Sequence, residues 1–574
     1  MAVLLLSMLC SLAVLSSAEA QAYHSCGSNF PSGCTCSTGA VDLQCDGTNG
    51  PSNIRKTFKR LQLTSKRIRR FTLNANSSTF LDSSFFDFFG QQLPSEVEIK
   101  YRPDETAATS KVRISDDVFK GQSHLLVKFG IVLNGQCLEE FPQFIRKMEN
   151  LQSLHILLEG KIDGCRWKAE PGLFEKLKQL KHLRLMYPLQ KKLGADWLKG
   201  LEKLEVLVLR GHLSWSGELE VIENGAFNGL KKLVQLQLPN NRLRLIEDKV
   251  FDSLPSLQAL DLTSNRLEDL PSLEKLTNLK ELNLEANLLK KVPNFSVLPS
   301  LEMLRLLNNY IDHFPNACFE GLTNLIQLFL GNTRERFFYY NSVVKLLPPL
   351  KPHIFSADIH FLKGLKKLKV LNINGNLTNW HEDMLSNTPN LWWLILQDNT
   401  YKNILTRNAF QTATNLARLE FSVPFTWEKM KKGVPTEVFE WSSMEKLANL
   451  TSFVLYGYDK NANSGAFECH CSTIHEYGTN CRCWCFDLPM PFYERYTYYH
   501  PFPKRFCKLP GKEVEKLYKQ DGPNTKSVRV GRSYSFHWEN GEEKSIELIE
   551  TCNFTAKSAG ALQCHTTKEI LDRK

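Results

Sequence analysis

The chain has 574 residues, with 71 basic and 61 acidic side chains, a formal charge of +10 and 16 cysteines. Beyond residue 20 nothing approaches the apolar run of about eighteen residues that a spanning helix needs, and the sequence closes on the charged LDRK. We therefore expect neither a membrane helix nor a lipid-anchor tail.

Residues 1–20, MAVLLLSMLCSLAVLSSAEA, form an apolar run closing on Ala18-Glu19-Ala20, the pattern of a cleaved secretory signal, although no basic residue precedes the run. The expected product is secreted and extracellular, where nucleic acid is not an expected partner and cysteines are read first as disulfides. Residues 21–55 hold Cys26, Cys34, Cys36 and Cys45. The following run RKTFKRLQLTSKRIRR carries Arg55, Lys56, Lys59, Arg60, Lys66, Arg67, Arg69 and Arg70 and no acid. It is either a contact for sulfated polysaccharide or another acidic surface, or a solvated edge.

From Leu233 the sequence repeats itself: LVQLQLPNNRL, then LQALDLTSNRL from Leu257, LKELNLEANLL from Leu279 and LEMLRLLNNYI from Leu301. The pattern L-x-x-L-x-L-x-x-N-x-L at a period in the twenties is the signature of leucine-rich repeats. Its alternating part is a short strand with Leu236 and Leu238 inward and Gln235 and Gln237 outward. One repeat cannot bury its leucines alone, so neighbours stack their strands into a parallel sheet. The expected fold is an α/β solenoid, a curved horseshoe with a concave parallel β-sheet over residues 56–465. The asparagine after each strand should satisfy backbone groups of adjacent turns, and Asn241, Asn265, Asn287, Asn309, Asn376 and Asn399 hold that place.

Looser copies begin upstream at Leu204, Leu180, Leu151, Leu126, Pro94 and Phe58, and downstream at Leu325, Leu368, Leu391, Leu416 and Leu450. The gap between Leu325 and Leu368 is nearly two periods, which predicts an insertion at about 334–367. Outward positions are polar in the middle of the array, Arg305 among them, and turn apolar downstream at Phe329, Trp392, Trp393 and Ile395. Large outward rings mark a binding patch or a surface covered by the insertion or the C-terminal region.

Cys137 and Cys165 follow strands of adjacent repeats at similar offsets, within reach of a bridge. Cys318 is expected as a buried free thiol. Residues 466–574 form a cysteine-rich C-terminal cap and tail, in which Cys469, Cys471, Cys485, Cys507, Cys552 and Cys564 are candidates for disulfides. His470 and His475 lie among these thiols, but the spacing lacks paired C-x-x-C units, so bridges are favoured over zinc. The aromatic run from Trp484 reads as a contact surface or a small disulfide-supported core. Sequons at Asn76, Asn294, Asn449 and Asn553 are candidate glycan sites, whereas Asn376 is expected bare in the asparagine row.

No catalytic constellation emerges. His381-Glu382 and His475-Glu476 lack the second histidine of a zinc-protease helix, and G-x-S-x-G and phosphate-binding glycine loops are absent from the sequence. We therefore expect no enzyme, no metal and no cofactor.

The repeats, the C-x-C-containing caps and the leader resemble secreted extracellular leucine-rich repeat proteins over about residues 26 to 510. That resemblance implies bridges Cys26–Cys36 and Cys34–Cys45. It also implies that the CHC at Cys469 opens the C-terminal cap, with Cys485 or a neighbour and Cys507 supplying the rest. The segments CTCSTGAVDLQC, ISDDVFKGQ, CLEEFP and ENLQSL look more narrowly like arthropod members, some named as the non-catalytic subunit of shrimp luciferin monooxygenase. The expected function is a non-enzymatic scaffold whose concave face binds an extracellular protein or glycan. Its variants are an accessory subunit of a secreted enzyme and an innate-recognition protein.

Overall fold

The computed structural model describes residues 68–76, 79–102, 110–159, 170–186, 191–211 apart from 196, 219–331, 354–397 and 408–425. It also describes residues 23–25, 34–37, 42–47, 447 and 449, and strand backbones between 452 and 571. The described chain is a β-solenoid of stacked parallel strands that divides into two compact units, one ending at Leu288 and the other beginning at Leu289.

In the first unit the parallel strands are β1 (Asp42–Asp46), β2 (Arg70–Ala75), β3 (Glu96–Tyr101), β4 (Lys128–Asn134), β5 (Ser153–Glu159) and β6 (His182–Met186). They continue as β7 (Val206–Arg210), β8 (Gln235–Gln237), β9 (Ala259–Asp261) and β10 (Glu281–Asn283), each paired with the next. Their central inward residues, Phe71, Val97, Phe129, Leu154, Leu183, Leu207, Leu236, Leu260 and Leu282, are all buried. Each such side chain contributes roughly 1.5–3 kcal/mol of burial, and only because a neighbour closes over it.

The N-terminal edge differs from the sequence expectation. The strand after β1 runs Arg70–Ala75, where IRRFTL from Ile68 carries the L-x-x-L-x-L alternation with Phe71 and Leu73 buried, and the start expected at Phe58 lies outside the described residues. Before it, Cys34–Ser37 lies antiparallel to β1 and a disulfide joins Cys34 to Cys45. Cys26 lies outside the described residues.

The second unit stacks β11 (Met303–Arg305), β12 (Gln327–Gly331), β13 (Val370–Asn374), β14 (Trp393–Gln397), β15 (Arg418–Phe425) and β16 (Ser452–Asp459) in parallel. Antiparallel strands Ala466–His475 and Gly478–Phe486 follow, then Lys526–His537, Glu543–Phe554 and Leu562–Leu571. Within the span expected as an insertion, residues 354–367 are built as repeat. Ile354–Ala357 pairs with His313–Phe314 and Asn376–Leu377, and Phe361, Leu362 and Leu365 are buried.

The outer layer of the described residues holds turns and the 3-10 helices Asp87–Gln92, Ser123–Leu125 and Gln143–Lys147, with no α-helix among them. Segments such as VFDSLPS are too short and too proline-broken to close successive i to i−4 bonds. Phenylalanines pack this layer instead, with Phe86 and Phe119 rings 4.7 Å apart and Phe227 and Phe251 6.5 Å apart.

The row of asparagines after the strands is a hydrogen-bonded ladder. Asn265 donates to Leu238 O and Leu262 O, both at 2.9 Å, and its Oδ1 accepts Leu243 N–H at 3.1 Å. Asn241, Asn287 and Asn309 are buried in the same role. The side chain of Asn376 and all of Asn399 lie outside the described residues. The residue before each ladder asparagine turns the chain left-handed: Asn240, Ser264, Ala286 and Asn308 have φ between 56° and 59°. Asparagine tolerates that region, but alanine crowds its Cβ there by about 1–2 kcal/mol. Set against the extra entropy glycine loses on folding, Ala286→Gly is expected to stabilise the chain by about 0.5–1 kcal/mol, read from urea midpoints. A lower midpoint would contradict that geometry.

Candidate functional site

The outward face of the sheet carries the residues that a partner could touch. In the second unit β14 places Trp393 outward, with Trp392 just before it 41% exposed and the two rings edge-on at 6.4 Å. The Arg418 guanidinium lies over the Trp393 ring at 4.4 Å and donates through Nε to Glu420 Oε1 at 2.7 Å. Glu420 is fully buried, so its carboxylate is held by the same guanidinium that covers the ring. Arg305 covers Phe329 in the same manner at 4.3 Å, from the neighbouring strand β11.

These stacks revise the sequence reading of the patch. Ile395 stands between Asn372 and Glu420 in the outward row but is 2% exposed, so it is packed and not available for contact. Phe329 and Trp393 are half-buried beneath arginines. Trp392 alone of the four apolar candidates is an exposed large hydrophobic residue. Arg418 and Glu420 were missed because a charged pair two residues apart gives no helical or metal-ligand signal. The strand alternation, which puts both on one face, was the signal that could have found them.

In the first unit the outward face is a lattice of charges. Arg70 Nε meets Glu96 Oε2 at 3.1 Å and Lys128 Nζ meets Glu96 Oε1 at 2.9 Å. Glu98 takes Lys100 at 3.2 Å and His155 Nε2 at 3.2 Å. The His155 contact spans two strands, passing over Gly130, where a Cβ would stand 2.0 Å from Nε2. Of the basic run, Arg69 is exposed and 3.6 Å from Asp42, and Arg70 belongs to the lattice. Arg55, Lys56, Lys59, Arg60, Lys66 and Arg67 lie outside the described residues.

A cleft in the second unit is lined by Lys290, Asn294, Ser296, His313, Cys318 and Glu320. His313 Nδ1 is 2.8 Å from Ser356 Oγ and Nε2 is 3.5 Å from Asp358 Oδ1. The residue types match a hydrolase triad, but the nitrogens are exchanged relative to that arrangement. His313 and Ser356 are directly opposed cross-strand partners, and Asp358 also accepts Asn316 N–H at 2.9 Å, so we read the set as a brace between repeats. Cys318 is a free thiol whose pKa burial pushes up to about 12, which leaves it protonated and unreactive at neutral pH. No cluster of three metal-ligating side chains occurs among the described residues.

Cys137 is disulfide-bonded, and Cys165 lies outside the described residues. Cys469, Cys471 and Cys485 sit on the described strand backbones, as do Cys552 and Cys564 at directly opposed register, whereas Cys507 lies outside. Among the sequons, Asn294 is exposed and its Oδ1 accepts Ser296 Oγ at 2.8 Å. Asn76 Oδ1 accepts Thr79 Oγ1 at 2.7 Å. Asn449 is exposed and belongs to a second row that the sequence reading missed. Asn150, Asn278, Asn324, Asn390, Asn415 and Asn449 each donate an amide N–H to a carbonyl of the preceding repeat. The signal was an asparagine directly before the first leucine of each of those repeats. The Asn553 side chain lies outside the described residues.

Stacked parallel strands, buried leucines and a ladder of asparagines define a leucine-rich repeat solenoid. The family model described as leucine rich repeat matches residues 212–267 and 277–334, and a two-copy model matches 255–297. A BspA type leucine rich repeat region matches 334–434. The chain is a leucine-rich repeat protein. It is 32% identical over 108 residues to a probable glycoprotein hormone G-protein coupled receptor of Anthopleura elegantissima, covering 19% of this chain and 11% of that one. Among solved structures it is similar to the TLR13–ssRNA13 complex, with 20% identity, a TM-score of 0.46 and coverage of 66% of this chain and 52% of that one. It is also similar to Toll in the Drosophila Toll–Spatzle complex, with 17% identity, a TM-score of 0.45 and coverage of 68% and 51%. The chain thus spans about a tenth of the curated relative and about half of these two solved chains. No helix of the described residues is long and apolar enough to cross a membrane.

Proposed function

We propose that this is a secreted, non-enzymatic binding protein that recognises an extracellular partner through the outward face of its repeat sheet. The observation that carries the reading is Trp392, an exposed indole beside the Trp393–Arg418 stack. Exposed tryptophan on a rigid strand is costly to leave in water and supplies large contact area with little entropy to lose, which is the character of an interface anchor. Arg418 is held by Glu420, so the platform beside the anchor is pre-organised. Leucine-rich repeat domains of this kind typically bind rather than catalyse.

The test is capture from the native extracellular fluid with the wild-type chain and with Trp392→Ala side by side. Loss of one anchor of this type is expected to weaken a specific partner by about 2 kcal/mol, roughly thirtyfold. Because the ring is exposed, the melting temperature should stay within about 2 °C. A partner retained equally by both chains would remove Trp392 from the interface. A large drop in melting temperature would assign the ring to packing.

A further inference from the structure

The outward face of the first unit changes character between β5 and β7. Upstream, Arg70, Lys100, Lys128 and His155 are each paired with Glu96 or Glu98. Arg184 on β6 and Arg210 on β7 face the same side, and neither forms a hydrogen bond or ion pair with any described residue. Both are half-buried, and Arg210 Nε is shielded from solvent with no acceptor. Among the described side chains of the nearest strands no acid is free: Glu98 is occupied by His155 and Lys100, and Glu205 by Lys181 at 3.4 Å. A half-buried guanidinium with no counter-charge among the described residues costs stability and suits an anion supplied by a partner.

The setting of the two arginines selects among anions. Register places Arg184 opposite Val208 and Arg210 opposite Met186, a diagonal pair about 8 Å apart at the backbone. Leu157 on β5 is also outward and half-buried. Arg184 thus stands between His155 and Val208, and Arg210 beside Met186, with Leu157 on the far side of Met186. A densely sulfated polysaccharide has no apolar side chains to cover Leu157, Met186 and Val208, whereas a protein segment carrying carboxylates beside an aliphatic or aromatic residue matches both features.

We propose that the outward face of β5–β7 is a docking surface for an acidic, apolar-bearing segment of a protein partner, whose carboxylates pair with Arg184 and Arg210. Arginine suits this role because its fork can bind a carboxylate through two parallel hydrogen bonds. The surface belongs to the first unit and the Trp392 platform to the second, and the proposal rests on the reading of the outward face as a binding surface.

A phage-displayed random peptide library panned on the full chain, with R184Q/R210Q as counter-selection, tests this directly. Enriched peptides are expected to pair Asp or Glu with an apolar residue. As synthetic peptides they should bind at least tenfold more weakly when their acids become amides or when the chain is R184Q/R210Q. They should bind Trp392→Ala as they bind the wild type. The double variant is expected to melt no lower than the wild type, since it loses two uncompensated charges, and the single variants R184Q and R210Q repeat the comparison if it does. No enrichment, enrichment without acidic residues, or equal affinity for the variants would overturn the proposal. So would heparin binding that depends on these arginines while no peptide does.

Discussion

Asn265→Ala is expected to lower the free energy of unfolding by about 3–5 kcal/mol, the largest effect of any single truncation considered for this chain. The side chain is 1% exposed and serves three backbone groups of two adjacent repeats, Leu238 O and Leu243 N of the preceding one and Leu262 O of its own. Alanine strands all three away from water, at about 1–3 kcal/mol each before relaxation. Asn265→Asp discriminates the cause: it keeps the acceptor for Leu243 but turns a second acceptor toward two carbonyls, so it should be no milder than alanine. The exposed Asn278, which makes one bond to Pro255 O at 2.9 Å, provides the contrast, and Asn278→Ala should cost only about 0.5–1.5 kcal/mol. Urea titrations of the three variants read these differences. An Asn265→Ala loss below about 1 kcal/mol would show that the ladder is incidental to stability.

The ladder was legible in the sequence because one residue type recurs at a fixed offset from a strand whose alternation is itself legible. The same reasoning located the inward leucines and put Arg305, Phe329 and Trp393 on the outward face. It failed where a property depends on neighbours in space rather than in sequence. Ile395 has the right parity for exposure and is buried all the same. The His155–Glu98 contact joins residues 57 positions apart, a spacing that carries no pattern. Only the strand order β3–β4–β5 reveals that the missing side chain of Gly130 is the passage for an imidazole. The strand Arg70–Ala75 was missed for a different reason. A basic run disguised the alternation of IRRFTL, in which Arg70 is a strand residue facing out and not part of a loop.

The Glu98 site makes the second large prediction, a loss of stability in acid that can be deleted. Burial by itself would raise the Glu98 pKa. The hydrogen bond from His155 and the charges of Lys100 and His155 outweigh it and hold the carboxyl down at about 2, against 4.5 for an ordinary glutamate. A carboxylate depressed on folding stabilises the native state above its unfolded pKa. Its contribution, about 3 kcal/mol, should therefore be complete above pH 4.5 and decline as the pH falls toward 2. Glu98→Gln, which has no proton to gain, should show a flatter stability profile than the wild type across that window, although it is less stable at neutral pH. Gly130→Ala reaches the same contact without touching a charge. A Cβ 2.0 Å from His155 Nε2 forces the imidazole aside and leaves Glu98 with Lys100 alone. The expected cost at neutral pH is about 1–2 kcal/mol, the worth of one charge-assisted hydrogen bond. Because alanine is otherwise favoured over glycine within a strand, a stabilised Gly130→Ala would show that the cross-strand contact contributes nothing. If Glu98→Gln instead kept the full acid dependence of the wild type between pH 4.5 and 2, the depressed carboxyl would have to be sought among the other acids of the lattice, Glu96 first.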